Sequence, residues 1–341
     1  MITSFPALYL DELLYSLFAR YYAQSGHIAY VFAAEDLFEN RATKPDIEFM
    51  DGLTEEARQL VTRSCSLAAI VEKHTMFPYY GRFLQRDRRQ QALSLLLQTD
   101  ERYHNLLYQL KSKHVSRYLR YCPLCAAEDR KQHGETYWHR SHQLQGINIC
   151  PTHHCALYNS PVPISSKGSP SLDCAEMLVP QNMPVVLCEN ALECRVAEYV
   201  HAVFQKPVDM STDIPVGRFL HSKLEYTRYL SPRGEQRNMA LLFAEYAAFY
   251  IGLQNQPLNQ QWKMQKMFCS DRLNAYEVCL VGMFLGVSPE ELTRMKLPAV
   301  SQPEWFDKKI RTLHAQGLKY PEIARIMGAP YDFVKFIGNK R

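Results

Sequence analysis

Nowhere in its 341 residues does the chain hold a long unbroken apolar run. A membrane-spanning helix needs about 20 apolar residues in succession, so no span is expected. The first sixteen residues have neither a basic start nor an apolar centre, and they do not read as a secretory leader. The chain is not a polycation either. Its formal net charge is only +4, so any footprint for nucleic acid has to be local. Ten cysteines are present, but disulfide-scaffold spacing is missing. Cys65, Cys174, Cys269 and Cys279 stand far apart, and the clustered cysteines have metal-ligand spacing. That usage fits a reduced cytoplasm. With 47% apolar residues the chain can bury a sizeable core, and its length suits two or three modules.

The most informative stretch is 121–157. Cys122 and Cys125 form a Cys-Pro-x-Cys knuckle, and Cys150 and His153 form a second pair 24 residues further on. Two tight pairs at that separation give a zinc-finger layout: the intervening segment folds back and brings four N/S donors into a tetrahedron. The cofactor expected is a structural Zn2+. His154 and Cys155 follow His153 directly, and either could be the fourth ligand instead. His153 is preferred because Cys-x-x-His repeats the spacing of the first pair. Cys-x-x-Cys also serves redox enzymes, but no βαβ pattern surrounds this one. Cys155, Cys174, Cys188 and Cys194 contain no Cys-x-x-Cys, so a second metal site is not expected.

Three ordered blocks carry a resemblance. The first is Phe5-Pro6-Ala7-Leu8-Tyr9 running into Asp11-Glu12-Leu13-Leu14-Tyr15-Ser16, followed by Arg20. The second is His74-Thr75-Met76-Phe77-Pro78, with Tyr80, Arg88 and Arg89 beyond it. The third is the finger itself, with Trp138, Arg140, His142, Gln143 and Leu144 between its two pairs. Together they resemble the TniQ/TnsD family of transposon target-site selection proteins, nearest its TnsD-like branch. The resemblance implies an adaptor of cut-and-paste DNA transposition in bacteria. Such an adaptor binds double-stranded DNA at an attachment site and recruits an AAA+ ATPase regulator (TnsC-like). Its place would be cytoplasmic and nucleoid-associated. RNA-guided relatives imply a different adaptor, docked on a CRISPR effector complex with its C-terminal module facing protein. Under the family reading Trp138 is a packing residue and Arg140 a structural or contact residue.

Residues 9–24 read as an amphipathic helix, with Leu10, Leu13, Leu14, Leu17 and Phe18 at helical spacing and Gly26 as its stop. Short helices with breaks at Pro45 and Gly52 follow over 27–72. The acids of 46–62 are what a DNA-facing surface would avoid. Arg82, Arg86, Arg88 and Arg89 crowd after Tyr79 and Tyr80, and Lys111, Lys113, Arg117 and Arg120 follow a leucine-rich helix. Residues 111–120 hold no acid. Long cations interleaved with tyrosines suit phosphate contacts, so these residues, with Arg140, are candidates for DNA. The histidines beside the finger invite comparison with small HNH nucleases. The Asn and His that such a fold needs further along are missing, and the chain is not expected to be an enzyme.

Residues 158–195 have linker composition. Residues 190–300 read as helical, with 239–253 a buried helix and Ser288-Pro289-Glu290-Glu291 a capping box. The last 37 residues carry eight Lys and Arg against three Asp and Glu. Helices are expected over 305–316, 320–327 and 330–337, with Gly317 and Gly328 between them. Ile323, Ala324, Met327, Gly328, Val334 and Ile337 stand where a helix-turn-helix places its core and its turn. A recognition helix there would offer Tyr331, Asp332 and Lys335 to base edges, with Asn339, Lys340 and Arg341 near phosphates. The fold class expected is mainly α: helical modules with an embedded CCCH zinc finger and a C-terminal helix-turn-helix. The divisions fall at 1–115, a TniQ-like helical region; 116–160, the finger; 161–195, a connector; 196–300, a helical domain; and 301–341.

Overall fold

The computed structural model describes residues 2, 4–98, 102–107, 117–164, 169–225, 227–230, 237–270, 273–297 and 304–339. Its first helix, α1 (Leu14–Ser25), begins five residues later than the apolar spacing suggests. The reason is local. The N–H of Leu13 donates to the carbonyl of Trp138 at 2.9 Å, and the N–H of Arg140 donates to the carbonyl of Asp11 at 2.8 Å. Glu12 bridges His139 in antiparallel fashion, and Asp11 takes a left-handed φ of 58°. Backbone committed to a neighbouring strand cannot also close helical turns. Leu10 accordingly lies on the surface instead of in the apolar stripe. Gly26 ends α1 at φ 73°, a conformation that suits a residue without Cβ.

Three short helices follow, α2 (Tyr30–Leu37), α3 (Glu55–Val61) and α4 (Leu67–His74). Thr54 and Ser66 cap the last two by accepting the N–H groups of Ala57 and Ala69. Next come α5 (Phe77–Gly81), α6 (Arg86–Leu97) and α7 (Tyr103–Leu107). Strand β1 (Tyr118–Tyr121) leads into α8 (Pro123–His133), and the chain returns in β2 (Tyr158–Pro163). The two strands pair antiparallel, with Tyr121 opposite Tyr158. Part of the stretch read as linker is therefore a sheet strand. Its prolines are tolerated because the sheet has only two strands and both are edges.

The remaining elements of the main body are α9 (Ala175–Leu178), α10 (Ala191–Gln205), α11 (Val216–Ser222), α12 (Met239–Phe249), α13 (Gln261–Lys266), α14 (Ala275–Phe284) and α15 (Pro289–Arg294). Ser288 and Glu291 make the reciprocal capping box at the start of α15. Helix α12 is only half buried: Met239, Leu242 and Tyr246 turn inward, while Phe249 faces solvent. Alanines fill much of its outer face, so few charges did not mean full burial.

One apolar core runs from residue 13 to residue 295, and Trp138 is its largest fully buried side chain. The Trp138 N–H donates to Ser16 Oγ at 3.0 Å, and its indole Nε1 donates to the carbonyl of Asp173 at 2.8 Å. Tyr15 donates its hydroxyl to Asp173 Oδ2 at 3.1 Å. Trp138 thus joins α1 through its backbone N–H and the turn before α9 through its indole.

A second, smaller core belongs to α16 (Glu304–Ala315), α17 (Tyr320–Met327) and α18 (Tyr331–Asn339), which pack on one another through Ile310, Ile323, Phe333, Val334 and Ile337. Gly317 and Gly328 form the turns at φ 90° and 61°. A Cβ at Gly338 would lie 2.4 Å from the Tyr320 ring, so α18 approaches α17 closely only because that position is bare. No helix among the described residues is long and apolar enough to cross a membrane.

Replacing Trp138 by Ala removes the largest core side chain and the indole hydrogen bond to the Asp173 carbonyl. The expected cost is about 3–5 kcal/mol, read as a lower urea midpoint at unchanged slope. A loss below about 1 kcal/mol would mean that the indole does not hold these segments together.

Candidate metal centre and the arginines around it

Cys122 closes β1 and is the N-cap of α8. Its sulfur accepts the Cys125 N–H at 3.4 Å, and Pro123 supplies a preset φ at the first helical position. This is why Cys-Pro-x-Cys brings both sulfurs to one side of a helix start. The second pair sits on a turn pinned by two backbone bonds, Cys150 N–H to the Cys155 carbonyl at 2.8 Å and His154 N–H to the Cys150 carbonyl at 2.9 Å. The sulfurs of Cys122, Cys125 and Cys150 and Nδ1 of His153 all lie within 4.8 Å of one another. His153 Nδ1 is 3.5 Å from Cys122 Sγ, 3.3 Å from Cys125 Sγ and 3.8 Å from Cys150 Sγ, and the Cys125 and Cys150 sulfurs are 3.8 Å apart. A tetrahedral ion with bonds of about 2.3 Å to sulfur and about 2.0 Å to nitrogen gives edges of about 3.8 and 3.5 Å. The four donors therefore fit a metal ion as they stand.

Of the three candidates for the fourth ligand, His153 is the one grouped with the sulfurs of Cys122, Cys125 and Cys150. His154 takes a left-handed φ of 50° and points its ring at Glu198, 2.7 Å away. Cys155 touches the sulfur of Cys122 at 3.3 Å but stands outside the set of four. The other ring nitrogen of His153 meets Glu128 Oε1 at 3.1 Å. That pairing would fix Nδ1 as the ligating atom. Glu128 is absent from the sequence reading, yet it lies three residues after Cys125 on α8, a spacing that puts both on one helix face. Hydrogen bonds from Cys125 and Cys150 hold the Cys122 thiol down at about 3, whereas those from Cys122 and Cys150, with burial, push Cys125 far up. Packed sulfurs cannot all ionise unaided, and a cation is what would let them.

The arginines proposed for phosphate divide sharply. Arg82 is buried and donates to the carbonyls of Phe204, Lys206 and Pro207, just where α10 ends. Arg89 donates to the carbonyls of Leu84 and Thr212 at 2.9 and 2.6 Å. Arg117 pairs with Glu48 at 3.0 Å and reaches Tyr80 and the Gln143 carbonyl. Arg120 donates to the carbonyls of Leu144 and Ile147. Arg140 holds Asp11 at 3.3 Å and the carbonyls of Glu72 and Thr75 at 2.8 and 3.2 Å. Burial draws Arg82 and Arg120 down to about 10. Burial also opposes the charge of Arg117, but Glu48 and Tyr80 more than offset it. These five guanidinium groups tie segments of the chain together, and these donors are engaged within it. Arg86 is exposed and Arg88 half-exposed at the start of α6. Lys111, Lys113, Lys340 and Arg341 lie outside the described residues.

The histidines of the finger are likewise engaged. His139 meets Asp129 at 2.8 Å, and His142 is buried with Nε2 4.0 Å from the Cys150 sulfur. Sequence reasoning missed the anions that the arginines hold. Arg20 pairs with Glu12 at 3.0 Å and with Glu135 at 2.9 Å, and its guanidinium stacks 3.8 Å above the Tyr9 ring. Glu12 was visible in the opening block, but its partner could not be read from spacing.

All three blocks of the sequence resemblance meet here. Tyr9, Glu12, Ser16 and Arg20 come from the first; His74, whose Nδ1 lies 2.9 Å from the Glu12 carbonyl, comes from the second; Trp138, Arg140 and Gln143 come from the third. Comparison with known families agrees: residues 3–157 match the TniQ family model. The chain is also similar to the Transposon Tn7 transposition protein TnsD of Escherichia coli, with 29% identity over 158 residues. That match covers 46% of this chain and 31% of TnsD, so it spans about a third of that relative's length. The likeness to TniQ thus rests on residues 3–157 of the chain.

Cys122→Ser is expected to lose the bound metal and lower the melting temperature, whereas His154→Ala keeps both. Metal content by atomic absorption, beside a thermal melt, decides it; a Cys122→Ser protein with full metal and an unchanged melt removes Cys122 from the ligand set. Arg117→Met strips Glu48 of its buried counter-ion and should destabilise the chain by about 3 kcal/mol. Loss of DNA affinity without loss of stability would return Arg117 to a binding surface.

Proposed function

We propose that the chain is a target-site selector of DNA transposition: it binds duplex DNA, and it recruits an AAA+ ATPase regulator (TnsC-like) to that DNA. The observation that carries this reading is the TniQ domain over residues 3–157 together with the similarity to TnsD. In this reading the metal is Zn2+ in a structural role. Three thiolates and one imidazole with no open position suit a closed zinc site. The chain itself breaks no bonds; its task is to hold DNA and a partner together.

The C-terminal three helices support the DNA half of the proposal. Helices α17 and α18 cross at a small-residue turn around Ala324 and Gly328, as a helix-turn-helix requires. The first turn of α18 leaves Tyr331, Asp332 and Lys335 exposed while Phe333, Val334 and Ile337 face the core. Lys335 lies 5.9 Å over the Tyr331 ring. In a major groove, Lys335 would donate to guanine and Asp332 would accept from cytosine. Asn339 Oδ1 accepts from Tyr320 at 3.0 Å, which leaves its amide N–H groups for a phosphate. Exposed Lys308, Lys309, Arg311, Lys319 and Arg325 give the module its positive surface.

The direct test incubates purified chain with pooled genomic fragments at moderate salt and sequences what is retained. One enriched locus is expected. Uniform, salt-sensitive retention would overturn sequence reading by this chain. On the enriched site, Lys335→Ala should cost about 1–3 kcal/mol and relax the choice of base, whereas Arg86→Ala should weaken all sequences alike and lower the salt slope by about one. A uniform loss with Lys335→Ala would place that side chain on phosphate.

A further inference from the structure

We infer that Cys155 is a reserve ligand of the metal centre, able to replace His153 and convert the site from three thiolates and an imidazole to four thiolates. The inference rests on the metal reading of Cys122, Cys125, Cys150 and His153. It concerns a fifth donor that the set of four leaves out.

Three observations carry it. First, Cys155 is fully buried, its sulfur lies 3.3 Å from Cys122 Sγ, and it forms one sulfur-rich cluster with Cys122, Cys125 and Cys150. A buried thiol at that distance from a ligand sulfur is within a short side-chain movement of the ion. Second, His153 is the least buried of the four donors. Its side chain keeps 16% of its exposure, and the carboxylate on its other nitrogen, Glu128, is 68% exposed. Water can therefore compete for the Glu128 end of that imidazole. Third, the two candidates flank a single residue, His154, whose left-handed φ of 50° is uncommon for a residue with a Cβ. The turn is anchored on both sides, by Cys150 to the Cys155 carbonyl and by Cys188 N–H to the His154 carbonyl at 2.8 Å. Reorientation about His154 would exchange the donor offered to the ion without moving Cys122, Cys125 or Cys150. Either set, three S and one N or four S, is a closed structural site. No bond other than the metal–ligand contact changes: the imidazole leaves and the Cys155 thiol loses its proton to solvent as it ligates.

The test uses the full chain, loaded with Zn2+ for stoichiometry and with Co2+ for spectroscopy. His153→Ala and the near-isosteric His153→Asn, which keeps the turn filled should the alanine variant not fold, are measured beside Cys155→Ser and the His153→Ala/Cys155→Ser double variant. Expected are one ion per chain in both His153 variants, a cobalt–thiolate charge-transfer band stronger than wild type by one further thiolate, and ligand-field bands moved to lower energy. Cys155→Ser alone should keep the wild-type spectrum. The double variant should bind at least about tenfold more weakly than His153→Ala in competition with a chelator. The inference is overturned if the His153 variants hold a three-thiolate spectrum with the affinity of the double variant. It is overturned too if Cys155→Ser alone changes the wild-type spectrum, which would make Cys155 a resident ligand. A wild-type chain that takes up no metal would instead defeat the metal reading beneath it.

Discussion

The cluster of Cys122, Cys125, Cys150 and His153 sets the geometry on which the rest of the TniQ domain depends. It ties the two ends of a segment that has little regular structure beyond α8 and one 3-10 turn. Such a segment orders itself only at a large entropy cost, and a metal ion held at both ends would remove much of that freedom before any side chain packs. What the closed segment then presents is a short row of anchors. Trp138 fills the core, Arg140 takes Asp11 and the carbonyls of Glu72 and Thr75, and Gln143 bonds both the N–H and the carbonyl of Arg120. The N-terminal block does not fold by itself into the helix its leucines suggest. It is laid against residues 138–140 as extended backbone, and α1 starts only where that contact ends.

Burying arginine is the second constraint, and it follows from the first. An uncompensated buried cation costs several kcal/mol, so its donors have to be matched in place. Here carboxylates answer some of them, Glu12 and Glu135 for Arg20 and Glu48 for Arg117. Backbone carbonyls answer others, at the end of α10 for Arg82 and at the turn 144–147 for Arg120. Carbonyls at a helix C-terminus carry partial negative charge and lack partners of their own. Arg82 satisfies three groups at the end of α10 and is neutralised by none of them fully. The fan of donors on a guanidinium lets one side chain bridge segments that a lysine would join at a single point. Arg82, Arg89, Arg117 and Arg120 thus serve cohesion between segments of the chain.

This explains which parts were legible in the sequence. Metal spacing is a local code: a Cys-Pro-x-Cys knuckle must cap a helix start, and Cys-x-x-His must sit on a turn, so both half-sites can be read without knowing the fold. The capping box at Ser288 and the glycine stops at Gly26, Gly317 and Gly328 are local in the same sense. The fate of an arginine is not. Whether Arg117 meets phosphate or Glu48 is decided by a residue 69 positions away, and a basic run looks the same in either case. The strand at Tyr158–Pro163 was hidden for a related reason. Its prolines mark a loop by composition, and only a partner strand at Tyr118–Tyr121 makes an edge position available to them.

The two cores differ in what they leave to the surface. In residues 3–157, Arg82, Arg89, Arg117, Arg120 and Arg140 are drawn inward to hold segments together, while Arg41, Arg63, Lys73, Arg86 and Lys131 stay exposed. The C-terminal helices invert this. A six-residue core suffices to hold them, and the charged side chains from Lys308 to Lys335 remain outside. A stable, internally neutralised platform joined to a small cationic module separates two demands that conflict in one domain. Buried guanidinium groups fix the shape against which a partner could dock, while under the proposed function exposed lysines would make affinity for DNA adjustable by salt. The proposed selector would profit from that separation, because its grip on DNA could be weak enough for searching without loosening the fold.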